Sequence, residues 1–318
     1  MFLTDGPQLA DAVIGIDFGG TKIDVALASA HGEVLKQVRL ETRAYEGPDQ
    51  ALERVVEAVH NLTAYAEAKG LSVVGHAAVC PGVVQEERIL LVPNLAGWED
   101  LALGRRLGEA LNQERIPVWN DVRAGALAEV LYGNLRAADP GVYLSLGTGI
   151  AVALSIGGKI LAGAHEAAGE IGYLGVEMAP SSTSAQHAPL EEIVGGKALG
   201  ERASRLLGEE LDAAALFART DPAAQQVLHH ALGVLAAAVA NIAVLLDPAR
   251  VVVGGGLMGS AEPILSVLRA QLNRCVPFPP EVVGARFSEK ASLRGAIALA
   301  LTASETSAPA GAIAGGAR

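Results

Sequence analysis

The stretch Asp17-Phe18-Gly19-Gly20-Thr21-Lys22 separates two short aliphatic runs, AVIGI at 12–16 and IDVALA at 23–28. Short apolar runs bounded by turn residues read as buried strands, so these six residues form the turn of a hairpin. Glycines in such a turn expose backbone N–H groups to an anion, Thr21 adds a hydroxyl and Lys22 a positive charge. The segment that follows reads as strand and not helix, which sets the turn apart from a Walker loop. A hairpin that uses glycine only for its backbone angles is the plainer alternative.

Further along, the same pattern recurs. VYLSL at 142–146 runs into Gly147-Thr148-Gly149, then IAVALSI at 150–156, then Gly157-Gly158. Two strand–turn–strand hairpins of this kind suggest two related halves, each offering a glycine turn to a ligand. A third glycine turn, Gly254-Gly255-Gly256, follows the strand-like RVVV at 250–253. Each turn alone is weak evidence, but three at strand ends favour a nucleotide di- or triphosphate site. Other strands are expected at 34–40, 71–79 and 116–119. Helices are expected at 47–70, 102–112, 125–131, 189–207, 223–246, 263–272 and 293–303, with a disordered tail from Ser304.

The bulk properties narrow the classes. Among 318 residues, 51% are hydrophobic and 19% charged, which excludes disorder for most of the chain. That length suggests about two domains. A net charge of −11 opposes binding to nucleic acid or to anionic membranes. Cys80 and Cys275 are the only cysteines, too few for a disulfide framework or a Cys-rich zinc site, and a reduced, cytoplasmic compartment is expected. The first twelve residues carry Asp5 and Asp11 and no basic residue, unlike a signal peptide. The apolar run at 231–246 falls short of the ~20 residues that span a bilayer, and reads as a buried helix ended by Asp247-Pro248.

Asn120-Asp121 follows a strand, so Asp121 projects from a strand end. A carboxylate there can take a hydroxyl proton as that oxygen attacks a phosphoryl group. The competing reading makes Asp121 the N-cap of the helix that follows. Glu166, Glu170, Glu191 and Glu192 form an acidic group among small residues, suited to polyol hydroxyls or to a solvated face. His187 and the pair His229-His230 read as surface histidines.

Taken in order, Asp17-Phe18-Gly19-Gly20-Thr21-Lys22, Pro93-Asn94-Leu95-Ala96-Gly97-Trp98, Asn120-Asp121, Gly147-Thr148-Gly149-Ile150, Ala168-Gly169-Glu170-Ile171-Gly172 and Val253-Gly254-Gly255-Gly256 resemble the motifs of the ROK family. The likeness to its bacterial glucokinases is strongest and covers about Val13 to Thr302. It implies an α/β fold of two actin/hexokinase-like (ribonuclease H-like) ATPase domains with an interdomain cleft. A smaller domain would comprise 1–118 plus 293–303 and a larger one 119–292, leaving 304–318 as the disordered tail. The resemblance makes Asp121 the catalytic base and sets Asp17 near a magnesium ion. It lines the phosphates of ATP with Gly19, Gly20, Thr21, Lys22, Thr148 and Gly149, and the adenosine with Gly255 and Gly256. Sugar hydroxyls would be held by Gly82, Asn94, Asn120, Asp121, Glu170 and Glu191.

Two departures from that family stand out. Its usual Glu-x-Gly-His reads Glu170-Ile171-Gly172-Tyr173 here, and Tyr173 takes the place of a sugar-contacting, zinc-ligating histidine. Its three zinc cysteines are replaced by Ser182, Ser184 and Pro189. No zinc is therefore expected, and selectivity at the C1–C2 edge of the sugar is altered. The expected activity is ATP- and Mg²⁺-dependent transfer to the 6-hydroxyl of a hexose, glucose first. Mannose, an N-acyl-hexosamine or a free aminosugar is the alternative, and a non-catalytic sugar sensor a further one. The protein is expected to be a homodimer, with no nucleic-acid or membrane partner.

Overall fold

The computed structural model describes residues 10–92, 94, 95, 97–176, 187–288 and 290–307. It is an α/β protein of two compact units. The first runs to Ala124 and resumes at Ser292, and the second runs from Gly125 to Ala291.

In the first unit, β1 (Ala10–Phe18) and β2 (Lys22–Ser29) form the hairpin read from the sequence, with Asp17 paired to Asp24 and Phe18 to Ile23. β3 (Val34–Glu41) follows, then α1 (Pro48–Ala68), β4 (Leu71–Cys80), the small hairpin β5 (Val83–Val84) and β6 (Ile89–Leu90), α2 (Leu103–Ala110) and β7 (Val118–Asn120). The sheet order is β3-β2-β1-β4-β7, antiparallel across β1–β3 and parallel from β1 to β7. β1 is apolar on both faces because both are covered, as a parallel sheet core requires. On α1, Leu52, Val55, Val59, Leu62 and Ala66 are buried at helical spacing. Phe18 meets Trp98 edge to face, ring centroids 5.1 Å apart.

α3 (Asp121–Tyr132) leads into the second unit, where β8 (Gly141–Leu146) and β9 (Ile150–Ile156) form the second hairpin. β10 (Lys159–Ile160), α4 (Glu191–Val194), α5 (Gly196–Leu207), α6 (Ala213–Phe217), α7 (Pro222–Leu246), β11 (Arg250–Gly254), α8 (Ala261–Cys275) and β12 (Glu281–Gly284) complete it. The sheet order β10-β9-β8-β11-β12 repeats the layout of the first sheet, an antiparallel hairpin continued by two parallel strands. α9 (Ala291–Ser307) then returns to the first unit. It lies against the sheet at glycines: a Cβ on Gly15 would stand 2.9 Å from the Ile297 amide nitrogen, and one on Gly75 would stand 2.9 Å from the Ala300 carbonyl.

Among the described residues, α7 is the one helix long and apolar enough to cross a membrane. One face is buried, through residues such as Val227, Leu235 and Val239, and packs with α8 in the core of the second unit. The other face leaves Val244 and Leu245 exposed. Asp247, in a left-handed conformation, closes the helix where the sequence reading ended it.

Some boundaries differ from the sequence expectations. The helix expected over 189–207 breaks at Gly195, whose extended backbone separates α4 from α5. The helix expected from residue 125 begins at Asp121. The divisions between units fall after Ala124 and Ala291 and not at 118 and 292. The first turn of α3 belongs with α9, since a Cβ on Gly295 would meet the Ala124 carbonyl oxygen at 2.1 Å. α9 runs through Ser307, so 304–307 are helical where a disordered tail was expected; Ser304 Oγ donates to the Leu301 carbonyl at 2.7 Å. The rest of that tail, 308–318, lies outside the described residues.

Candidate active site

The first glycine turn closes on itself. The Gly19 amide donates to the Lys22 carbonyl at 3.0 Å, and Thr42 braces the turn from the end of β3. Thr42 Oγ1 donates to the Gly19 carbonyl at 2.6 Å, while its amide donates to the Thr21 carbonyl at 3.0 Å. Gly20 and Thr21 keep their amides without an acceptor among the described residues. A Cβ on Gly20 would come within 3.2 Å of the Asn94 side chain, so a residue expected at the sugar lies beside one expected at a phosphate.

Asp17 stands one residue before the end of β1, partly buried. Burial pushes its carboxyl up to about 7; a hydrogen bond from Ser292 pulls down and the charge of Asp121 pushes up further. The Ser292 Oγ–Asp17 Oδ2 separation is 2.5 Å. Asp24, its neighbour across the hairpin, behaves oppositely: despite burial, hydrogen bonds from Arg39 and Gln37 hold it below the usual carboxylate range. Cys80, buried at the end of β4, has its thiol raised well above the ordinary value by burial and then by Asp121 and Asp17. Asp17, Cys80 and Asp121 thus share one corner of the first unit.

Asn120 and Asp121 have different tasks. Asn120 Oδ1 accepts the amides of Val122 at 2.9 Å and Arg123 at 3.0 Å, which makes Asn120 the cap of α3. Its Nδ2 donates to the Gly82 carbonyl at 2.8 Å. Gly82 has φ +88, and a Cβ there would lie 2.5 Å from the Leu90 carbonyl oxygen, so glycine is required. Asp121, also accepting from the Val122 amide, stands as the first residue of α3 beyond that cap. The capping role weighed for Asp121 belongs chiefly to its neighbour.

In the second unit, the Gly147 amide donates to the Gly149 carbonyl at 3.0 Å. The Ile150 amide donates to Glu191 Oε2 at 3.0 Å. Thr148 and Gly149 are left with amides that have no acceptor among the described residues, as Gly20 and Thr21 are in the first turn. Gly255, at φ +93, crosses β8 so closely that a Cβ would lie 2.3 Å from the Leu146 carbonyl oxygen. The space beside Gly256 is open. Glu170 and Tyr173 bracket the short helical turn Ile171–Tyr173. The Tyr173 hydroxyl is raised by burial and then by the charges of Glu170 and Glu191, which groups the three residues. His187, exposed, pairs with Glu192 on the surface at 3.2 Å. Ser182 and Ser184 lie outside the described residues.

A nucleotide's phosphates fit amides presented in pairs where side chains cannot enter. Among the described residues no group of three or more His, Cys, Asp or Glu could cage a metal. Magnesium takes one or two carboxylates and fills its shell with water and substrate phosphates, and Asp17 beside Asp121 offers carboxylates of that kind. Thr42 and Ser292 are contributors that sequence reasoning missed. Neither lies in a motif, and each reaches its turn or carboxylate from a distant element.

Two sheets of one layout, each opening its hairpin turn through two amides, define an actin/hexokinase-like ATPase fold. The chain belongs to the ROK family, whose model matches residues 13–303. It is 30% identical to an N-acetylmannosamine kinase of Shigella boydii, over 90% of this chain and 97% of that one. Among solved structures, a ROK hexokinase from Thermus thermophilus aligns with TM-score 0.78 at 28% identity, covering 93% of this chain and 99% of that one. A ROK glucokinase from Streptomyces griseus, in complex with glucose and AMPPNP, shares the fold with TM-score 0.75 at 24% identity over 92% of this chain and 99% of its own. The chain is a sugar kinase of this family, a phosphotransferase with an alcohol group as acceptor.

Proposed function

We propose that this kinase transfers the γ-phosphoryl group of ATP to the 6-hydroxyl of a hexose, with N-acetylmannosamine the first acceptor to test and glucose the second. The observation that carries the phosphoryl-transfer reading is the repeated turn: Gly20 and Thr21 in one unit, Thr148 and Gly149 in the other, each with amides open to an anion. The choice of acceptor rests on the 30% identical relatives named N-acetylmannosamine kinase, and on Tyr173 at the expected sugar edge. It moves glucose from first place to second.

In this reading Asp121 takes the proton of the attacking hydroxyl, and Asn120, fixed between Gly82 and the α3 amides, sets its position. Gly82, Asn94, Glu170, Tyr173 and Glu191 hold the sugar. Gly19, Gly20, Thr21, Lys22, Thr148 and Gly149 line the phosphates, and Gly255 and Gly256 leave room for the adenosine. Asp17, kept from ionising easily by burial and Asp121, is suited to meet a cation. Bound magnesium would supply charge neutralisation on the donor phosphates. No zinc is part of the proposal, and the protein acts as a homodimer.

The test is a coupled ADP-release assay over N-acetylmannosamine, glucose, mannose, N-acetylglucosamine, glucosamine and kanosamine. Release is expected with N-acetylmannosamine at the highest kcat/KM. A higher value with glucose would restore glucose as the acceptor. No release with any sugar would favour a sugar-binding sensor.

A further inference from the structure

The segment that follows the sugar edge also builds the phosphate turn of the second unit. The first amides of α5, those of Gly196 and Lys197, donate to the carbonyls of Gly147 at 2.8 Å and Thr148 at 3.2 Å. Leu190 donates to the Gly172 carbonyl at 3.0 Å, and Gly195 donates back to the Glu191 carbonyl at 2.8 Å. Glu191 stands at the middle of this brace. Its carboxylate occupies the space of two absent side chains: a Cβ on Gly149 would lie 2.2 Å from Oε2, and one on Gly172 would lie 3.4 Å from it. From there Oε2 accepts the Ile150 amide.

That bond fixes one peptide plane. The unit joining Gly149 to Ile150 is tied at its oxygen by the Gly147 amide and at its N–H by Glu191. With both ends tied, the peptide plane next to the Thr148 and Gly149 amides is held in place. Without Glu191, the N–H of buried Ile150 has no acceptor, which is costly, and glycine at 149 lets the plane rotate at little steric expense.

We propose that Glu191 is a positioning residue for the phosphate turn, so that a residue on the sugar side sets how well the second unit receives the donor. This rests on the reading of Thr148 and Gly149 as phosphate donors. Two substitutions separate its parts. Glu191→Gln keeps a carbonyl oxygen at the same reach and removes the charge. Glu191→Asp keeps the charge and shortens the reach by one methylene.

The measurements are calorimetric binding of Mg·AMPPNP without sugar, amide exchange at Ile150, and KM for ATP and for the acceptor. In E191D, AMPPNP binding should weaken about tenfold, Ile150 should exchange at least about tenfold faster, and KM for ATP should rise by a similar factor. In E191Q, AMPPNP affinity and Ile150 exchange should stay within about twofold of wild type, with the loss confined to the acceptor KM. Wild-type AMPPNP affinity in E191D would overturn the proposal, as would equal loss in E191Q and E191D. Failure of the unsubstituted protein to bind AMPPNP would instead overturn the phosphate reading itself. Exchange at Ile150 would still report the brace in that case.

Discussion

Thr42, completely buried at the end of β3, donates its hydroxyl to the carbonyl of Gly19 at 2.6 Å, 23 residues away in the chain. Its amide takes the Thr21 carbonyl, and its own carbonyl accepts from Arg54 at 2.8 Å. The turn between β1 and β2 is thereby held from outside at two of its carbonyls, which leaves its amides to point elsewhere.

Thr42→Val keeps the shape and removes the hydroxyl, leaving the Gly19 carbonyl short of a donor at a cost of about 1–3 kcal/mol. The KM for ATP should rise on the order of tenfold while the acceptor KM changes little. Thr42→Ser should restore most of the loss. Steady-state kinetics on the three proteins decides it; an unchanged ATP KM in T42V would mean the turn keeps its geometry without the brace.

Asp121→Asn retains the first turn of α3, since Asn120 supplies the cap. Turnover should fall on the order of 10²–10⁴-fold, as expected when a general base is lost, with sugar binding kept. Near-normal kcat would remove Asp121 from that role.

His76, in β4, accepts the Gln113 side-chain amide on Nδ1 at 2.8 Å, and burial lowers its imidazole to about 4. A folded value below the ordinary 6.5 means that the fold holds the ring neutral. Its contribution is complete above pH 6.5 and is lost as pH falls from there towards 4, by up to about 3 kcal/mol. Urea unfolding at pH 7.5 and 4.5 should show a smaller acid loss in His76→Gln than in wild type. Parallel losses in both would assign the acid sensitivity to other groups.

Metal analysis of the purified kinase should find no stoichiometric zinc. Pro189 cannot ligate, and Ser182 and Ser184 are poor substitutes for thiolates. One zinc per chain would show that a different ligand set has replaced the cysteines.

The two hairpins were legible because glycine punctuation between aliphatic runs is a local signal, and the strands around it extend the same runs by one or two residues. The break at Gly195 was visible in principle as Gly195-Gly196, but the apolar spacing on either side concealed it. Asn120 and Asp121 are adjacent acceptors of similar reach, so the direction of the chain entering α3 decides which one caps. Thr42, Ser292 and Glu191 left no sign of their contacts. A single polar side chain that crosses 23, 275 or 41 residues to its partner creates no periodicity. β10 and β12 are too short for alternation to register.

The return of α9 to the first unit bears on how this chain is made. Synthesis delivers β1 to β7 first, yet the sheet they form has its glycine-lined places for α9 at Gly15 and Gly75, and Asp17 receives its hydroxyl from Ser292. Those partners lie on α9, which is made only after the whole second unit. The second unit, continuous from Gly125 to Ala291, has all its strands earlier. The usual order of birth is therefore inverted: the later-encoded unit can complete its core while the earlier one still waits for α9. Removing α9 would therefore cost the nascent protein the packing of its first unit.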